Sequence, residues 1–168
     1  MSEVIFGLGS NLNNPVIQLQ TAVDNLGRYF SLRRVSSIYK SQSLLKDNQD
    51  DYYNIAVLAE TDKSPQEILS ITQSIEKNMG RVKFKKWGER VIDIDIIDYN
   101  REIIEDDNLQ IPHNQMIYRS FVLNPLKDII PEYIHPVLKL SVQDMINNLE
   151  DDYNIIIYQN KFILLYIL

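Results

Sequence analysis

The chain has 168 residues, of which 45% are hydrophobic and 24% charged, and its formal net charge is −6. This balance is typical of a folded globular protein, and we expect one domain that spans residues 1–168. The absence of cysteine excludes disulfides, thiolate metal sites and thiol catalysis, and the acidic charge argues against a surface that binds nucleic acid or an anionic membrane.

The first part of the chain predicts a strand and then a helix. Residues 4–8 (VIFGL) form a short apolar strand. Pro15 after Asn14 marks a helix start, because proline suits the first helical position and an asparagine side chain can cap it. Gly27 ends this helix, whose apolar side chains recur at helical spacing at Val16, Leu19, Val23 and Leu26.

Two further strands and a second helix follow. Residues 32–41 and 52–60 are rich in β-branched and aromatic side chains, and a polar loop separates them. Ser64 is followed by proline and, three residues on, by glutamate, which is the pattern of a capping box. We therefore expect the second helix to start after Ser64 and to end at Gly80.

A strand at residues 90–98 completes the order strand, helix, strand, strand, helix, strand. This order predicts an α+β fold, a ferredoxin-like α/β sandwich with a βαββαβ core and additional C-terminal helices and strands on the second face of the sheet. Residues 115–150 contain weaker helical patterns, the last of them opening at Ser141. Residues 153–168 predict a terminal hairpin that turns at residues 159–160, and the sequence does not indicate what packs against this apolar tail.

Two acidic residues, Asp93 and Asp95, interrupt the apolar strand RVIDIDIID. Side chains alternate along a strand, so both carboxylates project from one face and the intervening isoleucines from the other. Adjacent carboxylates repel and are costly to bury, and two divalent cations about 4 Å apart would remove that cost and act on phosphate groups. Alternatively, the pair are exposed charges that protect a sheet edge. The pair alone leaves both readings open.

A basic loop lies directly upstream of this strand. Residues 81–90 carry five Arg or Lys side chains against the single acidic residue Glu89. Basic groups beside oxygen ligands for magnesium suit a compact polyanion such as a nucleoside triphosphate, because the metal and the bases share the phosphate charge. If the loop binds a nucleotide, Trp87, the only tryptophan, packs against an adenine or an arginine. If it does not, Trp87 is an ordinary anchor to the core.

The sequence also predicts the compartment of the protein and its partners. The first residues lack a basic segment followed by a long apolar one, and the longest apolar run, residues 162–168, is too short to cross a bilayer. The cytoplasm is therefore the expected compartment. We expect a monomer without membrane or nucleic-acid partners, the alternative being an oligomer formed through the apolar tail.

From residue 4 to about residue 136, the sequence resembles the 6-hydroxymethyl-7,8-dihydropterin pyrophosphokinase family. The motifs that carry the resemblance are, in chain order, GSNL at 9–12, DYYNIAV at 51–57, Gln73 and Glu76 in TQSIEKNMGR, WGERVIDIDI at 87–96 and IPHNQMIYRSFVLNPL at 111–126. The resemblance implies a transferase that moves pyrophosphate from ATP to the hydroxymethyl group of a reduced pterin, releasing AMP, in folate biosynthesis. Two alternatives remain open: another Asp-x-Asp metal-dependent nucleotide transferase, or a non-catalytic ferredoxin-like binding module.

The same resemblance implies roles for individual side chains. Two magnesium ions that accompany ATP would be bound by Asp93 and Asp95. The catalytic residues would be Arg81, Arg90, Asp93 and Asp95. The pterin ring would be bound by Tyr52, Asn54 and Phe121, with the two aromatic rings stacked on its faces and the amide at its edge. Nucleotide would be bound by Gln73, Glu76, Lys83, Lys85, Trp87, His113 and Arg119.

Ordinary structural roles are the alternative for several of these residues. Tyr52 and Phe121 would then be core aromatics, and His113 would cap a turn. Gln73 and Glu76 would lie on a solvated helix face.

Two further points concern residues beside the motifs. We interpret the second histidine, His135, as structural. The chain departs from the family pattern at residues 41–51, where a proline-containing stretch is usual, and at Lys83, where arginine is common and offers a bidentate fork.

Overall fold

The computed structural model describes residues 1–42, 50–80 and 90–159. In chain order its elements are β1 (Ser2–Ser10), α1 (Pro15–Leu26), β2 (Ser31–Val35), β3 (Ile38–Ser41), β4 (Tyr52–Thr61), α2 (Pro65–Asn78), β5 (Asp93–Tyr99), β6 (Ile104–Asp106), β7 (Leu109–Ile111), a 3-10 helix (Met116–Tyr118), α3 (Ser120–Ile129), α4 (Val142–Asn147) and β8 (Ile156–Gln159). Within the described ranges, no helix is long and apolar enough to cross a membrane.

Among the described residues, the main sheet has six antiparallel strands in the order β5, β1, β4, β3, β8, and β2 also pairs with β4. Strands β6 and β7 form a separate hairpin. The predicted combination of helices with an antiparallel sheet is confirmed. In the centre of the sheet, β1 pairs with β4 on one side and with β5 on the other, so it lies between the strands that carry Asn54 and the two aspartates.

The structure divides the predicted strand at residues 32–41 into β2 and β3, so the prediction of one continuous strand was wrong. The break lies at Ser36, whose backbone N–H donates to the Ala56 carbonyl while its side-chain oxygen accepts from the Ala56 N–H, both at 2.9 Å. The hydroxyl takes the place of a backbone carbonyl, which lets the chain bend without leaving a buried amide of β4 unpaired.

Helices cover both faces of the sheet. Helices α1 and α2 pack on the face that carries Val4, Phe6 and Leu8 of β1. Helices α3 and α4 pack on the opposite face, against Ile5 of β1 and Ile97 of β5. The predicted C-terminal layer is therefore present. Because this layer covers only part of its face, one end of that face stays open as a cleft lined by β1, β4, β5 and the start of α3.

Two of the three predicted side-chain caps are observed. The Ser64 hydroxyl accepts from the Glu67 N–H at 3.3 Å and the Glu67 carboxylate accepts from the Ser64 N–H at 2.7 Å, completing the capping box. Ser141 accepts from the Asp144 N–H at 3.0 Å at the start of α4. The predicted amide cap at Asn14 was wrong: this residue has a left-handed backbone, with φ of 60°, and makes no side-chain cap. Asparagine tolerates this conformation, so here it forms the turn instead of the cap.

The C-terminal segment adds a strand to the sheet. Strand β8 pairs with β3, a partner that the sequence did not reveal. The second half of the predicted terminal hairpin, residues 160–168, lies outside the described residues.

A buried carboxylate anchors the far end of β5. Asp98 is fully buried and accepts hydrogen bonds from the Tyr133 hydroxyl at 2.7 Å, the Arg101 guanidinium at 3.0 Å and the Arg101 N–H at 2.9 Å. Burial, together with the adjacent Asp98 charge, raises the pKa of Tyr133. The phenol therefore stays protonated and acts as a donor, which ties the loop after α3 to the sheet.

We expect Tyr133→Phe to lower the free energy of unfolding by about 1–3 kcal/mol, because it removes one donor from a buried carboxylate while preserving the ring. The measurement is urea unfolding followed by circular dichroism. Tyr29→Phe is the control, since this side chain is 51% exposed. Equal, small losses in the two variants would contradict the assigned role of the Tyr133 hydroxyl.

Candidate active site

The floor of the cleft is a row of residues that crosses three strands. Gly9 of β1 pairs with Asn54 of β4 on one side and with Asp93 of β5 on the other. Directly paired residues of antiparallel strands point to the same face, so Asn54 and Asp93 flank a position without a side chain. A Cβ atom on Gly9 would lie 2.5 Å from the Asn54 side-chain oxygen. The glycine therefore leaves room for the asparagine amide at the cleft floor.

One side of the site is an open, largely apolar cleft of about 820 Å³. It brings together the three residues expected to bind a pterin, Tyr52, Asn54 and Phe121. The Arg119 guanidinium lies 5.7 Å from the centre of the Phe121 ring, at the edge of this cleft. The structure thus places Tyr52 and Asn54 of β4 and Phe121 of α3 around one cavity, although the two elements are distant in sequence.

Two buried polar atoms that line this cleft have no hydrogen-bond partner among the described residues: the Asn54 side-chain nitrogen and the Ser41 hydroxyl. A buried polar group without a partner costs about 1–3 kcal/mol, so both atoms are suited to a ligand with polar edges. Sequence reasoning missed Ser41, because a serine at the end of a strand is unremarkable until the pairing of Ser41 with Tyr52 places it beside the cleft.

The other side of the site is a polar cleft of about 620 Å³. Residues Leu69, Thr72, Gln73 and Glu76 of α2 line it, together with His113. Three of the residues expected to bind nucleotide therefore meet here, and a fourth, Arg119, lines both clefts.

Four charged residues line both clefts and so form the junction between them: Arg90, Asp93, Asp95 and Arg119. The Arg90 guanidinium donates to the Asp93 carboxylate at 2.7 Å. The side chains of Asp93 and Asp95 are 22% and 34% exposed, and both border the cavity. The two carboxylates thus lie between an apolar and a polar compartment.

Glu76 connects helix α2 to the strand that carries the aspartates. It is 4% exposed, and its carboxylate accepts from the Ile94 N–H at 2.7 Å. Strand β5 is at an edge of the sheet, so this backbone donor is paired by a side chain rather than by another strand. A solvated helix face was therefore the wrong alternative for Glu76, although it fits the exposed Gln73.

Asn11 of the GSNL motif fixes two chain segments near the site. It is 1% exposed, its side-chain oxygen accepts from the Arg90 N–H at 2.7 Å, and its own N–H donates to the Arg90 carbonyl at 3.1 Å. Its side-chain nitrogen donates to the Asp50 carbonyl at 3.4 Å. The sequence marked this motif but gave Asn11 no role, since these contacts join residues far apart in the chain.

Four of the expected nucleotide or catalytic residues, Arg81, Lys83, Lys85 and Trp87, lie outside the described residues. Their roles stay predictions.

The His113 side chain lines the polar cleft and is uncharged at neutral pH. Burial, and to a smaller extent the Arg119 charge, lower its pKa from 6.5 to about 4, and the Asp93 charge partly opposes the change. The Nδ1 atom accepts from the Gln115 N–H at 3.2 Å, which assigns the hydrogen of the neutral ring to Nε2. Nε2 lies 3.9 Å from Asp95 and faces it without forming an ion pair. The histidine therefore both supports a turn and borders the site.

The second histidine has a structural position, in agreement with its interpretation from the sequence. His135 is 6% exposed and its Nδ1 atom accepts from the N–H groups of Val137 and Leu138 at 3.2 and 3.1 Å. It belongs to the turn before α4, away from both clefts.

The donor set fits a metal that arrives with its substrate. Within the described ranges no cluster of three or more His, Cys, Asp or Glu side chains could hold a metal ion by itself. Magnesium usually takes one or two carboxylates, water and substrate phosphates rather than an all-protein cage. Asp93 and Asp95 supply that number of carboxylates at the junction.

Comparisons with known protein families and sequences give one consistent result. The family model described as 7,8-dihydro-6-hydroxymethylpterin-pyrophosphokinase matches residues 5–131. A 2-amino-4-hydroxy-6-hydroxymethyldihydropteridine pyrophosphokinase of Haemophilus influenzae is 41% identical over 138 residues, which cover 81% of this chain and 86% of the relative. The folic acid synthesis protein FOL1 of Dictyostelium discoideum is 40% identical over 90% of this chain, which spans only 23% of that longer relative.

Solved structures show the same fold. Wild-type HPPK-DHPS of Plasmodium falciparum superimposes with a TM-score of 0.72 at 19% sequence identity, over 87% of this chain and 44% of that one. The same protein crystallised with SDX-DHP gives a TM-score of 0.71 at 20% identity, over 88% and 43% of the two chains. This chain thus spans less than half of these structures.

We expect the His113 ring of the metal-free protein to titrate with a pKa of about 4. The pKa is below the ordinary value of 6.5, so the neutral ring contributes stability that is fully present above pH 6.5 and is lost as the pH falls toward 4. NMR titration of the two histidines measures this directly, with His135→Gln used for assignment.

Arg119→Ala is the informative variant for this titration. It removes the second cause of the shift and leaves burial in place, so the pKa of His113 should rise only part of the way to 6.5. A pKa of 6 or more in the unaltered protein would contradict the assigned environment.

Proposed function

The chain belongs to the 7,8-dihydro-6-hydroxymethylpterin-pyrophosphokinase family, and we propose that it transfers pyrophosphate from ATP to a hydroxymethyl-dihydropterin, releasing AMP, in folate synthesis. The observation that carries this proposal is the position of Asp93 and Asp95 between two chemically different clefts. A transferase that joins a flat heterocycle to a triphosphate needs one compartment for each, with charge control where they meet.

The apolar cleft suits the pterin. A pterin is flat and rich in donors and acceptors, so aromatic side chains supply contact area while a few polar atoms supply orientation. Tyr52 and Phe121 bind its faces, and the Asn54 amide, which offers both a donor and an acceptor, binds its edge. The Ser41 hydroxyl is a second polar contact, because it is buried beside the same cavity and lacks a partner among the described residues.

The polar cleft suits the nucleotide. Gln73, Glu76, His113 and Arg119 bind ATP, and the neutral Nε2–H of His113 is a donor that adds no charge. The proposed roles of Arg81, Lys83, Lys85, Trp87 and Arg90 in holding the phosphates and covering the reaction rest on the family resemblance. Arg90 already lies at the junction, where it pairs with Asp93.

Magnesium is the proposed cofactor, with two ions that accompany ATP. When bound, it neutralises phosphate charge and makes the transferred phosphorus more electrophilic. Asp93 and Asp95 are the ligands. The other groups of the chain orient the pterin hydroxyl toward the β-phosphorus and exclude water, which competes as a nucleophile.

A ferredoxin-like core is the fold that we propose for the catalytic unit. The element order β1, α1, β2 with β3, β4, α2, β5 and the spatial order β5, β1, β4, β3 support this assignment. The single domain over residues 1–168, the monomeric state and the cytoplasmic location also stay predictions.

The direct test mixes the protein with ATP, Mg²⁺ and 6-hydroxymethyl-7,8-dihydropterin and measures AMP by chromatography. AMP that forms only when the pterin and the metal are both present supports the proposal. Nucleotide turnover that ignores the pterin would favour the other Asp-x-Asp transferase. The absence of any turnover across divalent metals would favour the binding module.

We expect Asp95→Asn to fold normally and to lose at least about two orders of magnitude in the rate of AMP formation, because one metal-binding charge is removed at the reacting phosphates. Asp107→Asn, an exposed carboxylate in the turn between β6 and β7, is the matched control and should keep its activity. Retention of more than about half of the activity in Asp95→Asn would rule out its role as a metal ligand.

We expect Gly9→Ala to weaken pterin binding about tenfold or more while ATP binding changes less than about twofold. The new Cβ atom would lie 2.5 Å from the Asn54 side-chain oxygen, so the amide must leave its position. Calorimetric titration of each ligand measures the two affinities.

Gly27→Ala is the control for this experiment. Its backbone is helical, with φ of −61°, and a Cβ atom there would meet no atom closer than 3.5 Å. Unchanged pterin affinity in Gly9→Ala would show that the Asn54 amide does not bind the ring.

A further inference from the structure

The segment 151–159, here called the C-terminal strap, lies beyond residues 5–131, where the family model matches. It contacts both walls of the apolar cleft. The Gln42 N–H, at the end of β3, donates to the Tyr153 carbonyl at 2.9 Å. The fully buried Ser120 hydroxyl, at the start of α3, donates to the Asp152 carbonyl at 2.7 Å. Adjacent residues of the strap thus bind two different elements, β3 and α3, each of which contributes residues to the cleft lining.

Tyr153 also supports an aromatic wall of the cleft directly. Its ring centre lies 6.5 Å from that of Phe121, with the ring planes inclined at 59°. This tilted arrangement is a favourable geometry for an aromatic pair. Phe121 borders the cavity on one side, so Tyr153 limits how far that ring can move away from it.

The strap is held in a specific conformation. Tyr153 and Asn154 both have left-handed backbones, with φ of 54° and 51°. The Asp151 carboxylate accepts from the Tyr153 N–H at 2.6 Å, and the Asp152 carboxylate accepts from the Asn154 N–H at 2.9 Å. A tyrosine rarely adopts this strained backbone, so the surrounding contacts must maintain it.

Beyond this turn, β8 fixes the strap to the sheet. Ile156 pairs with Lys40 and Ile157 with Tyr39, immediately before Ser41 and Gln42. The strap is therefore attached to β3 through strand β8. It is attached to α3 through the Ser120 hydroxyl and through the contact of the Tyr153 and Phe121 rings. No residue of the strap lines either cleft itself, so the strap acts on the apolar cleft through the residues of β3 and α3 that it contacts.

We propose that Tyr153 is a positioning residue for the pterin cleft, which holds the Phe121 wall at a fixed separation from the wall of Ser41 and Gln42. This inference rests on the proposed function, since it assigns the apolar cleft to the pterin. Its main effect is on one substrate: loosening the strap widens the pterin cleft, whereas the wall that Gln73 and Glu76 of α2 form in the nucleotide cleft stays in place.

The test compares Tyr153→Ala with Tyr153→Phe in steady-state kinetics of the full chain. We expect the alanine variant to raise the KM for pterin about fivefold or more, with the KM for ATP changed less than about twofold. The phenylalanine variant keeps the ring and should restore the wild-type KM for pterin. A purely structural role would instead lower activity without distinguishing the two substrates.

Tyr158→Ala is the matched control within the same segment. Tyr158 forms an edge-to-face contact with Tyr53 at 5.0 Å, and Tyr53 packs against the core on the opposite face of the sheet. Its removal should leave the KM for pterin unchanged. A pterin effect as large as that of Tyr153→Ala would overturn the specific role of Tyr153.

Ser120→Ala provides a second route if Tyr153→Ala does not fold. It removes the donor to the Asp152 carbonyl, and the KM for pterin should again rise while that for ATP does not. Calorimetry with pterin and a non-reactive ATP analogue separates the possible failures. If the wild-type protein binds no pterin, the proposed function and this inference both fall. If it binds and converts pterin while Tyr153→Ala and Ser120→Ala both match it, this inference alone is wrong.

Discussion

The site depends on an empty position at the centre of the sheet. Gly9 separates Asn54 from Asp93, and any side chain there would occupy the space taken by the asparagine amide. In an antiparallel sheet such a gap sits between side chains that already point to the same face, so one glycine creates a cavity without breaking the strand. The surrounding sheet keeps its hydrogen bonds while the floor of the site stays open.

The net charge at the junction of the two clefts depends on which of its side chains are ionised, and burial keeps His113 uncharged. His113 is neutral, so among the described residues the positive charges that line the junction with Asp93 and Asp95 are those of Arg90 and Arg119. The positive charges of the two arginines and the negative charges of the two carboxylates nearly cancel. The several negative charges of a triphosphate then need further cations. On the proposed function these are the basic side chains of Arg81, Lys83 and Lys85 together with a divalent metal held by the two aspartates.

The sequence predicted features that depend on local periodicity. The alternation along β5 placed the aspartates on one face, and the capping box at Ser64 placed the start of α2. Features that join distant segments were not predictable in this way. The pairing of β8 with β3, the unpaired hydroxyl of Ser41 and the three hydrogen bonds of Asn11 depend on tertiary contacts that leave no periodic signal. Local rules also failed at Asn14, where a left-handed backbone forms a turn without a side-chain cap, and at Ser36, where a side-chain hydrogen bond marks a bend in the predicted strand.

Strand β5 is fixed between its two aspartates and again beyond them, and this explains how an edge strand can carry a precise site. Near its start, Glu76 accepts from the Ile94 N–H; at its far end, Asp98 is held by Tyr133 and Arg101. The His113 N–H donates to the Ile97 carbonyl at 2.9 Å between these two anchors. Catalysis by positioning loses rate steeply when reacting groups move by about 1 Å, so an unanchored edge would be a poor support. The buried polar groups of β5 therefore serve the geometry of the site even where they lie outside it.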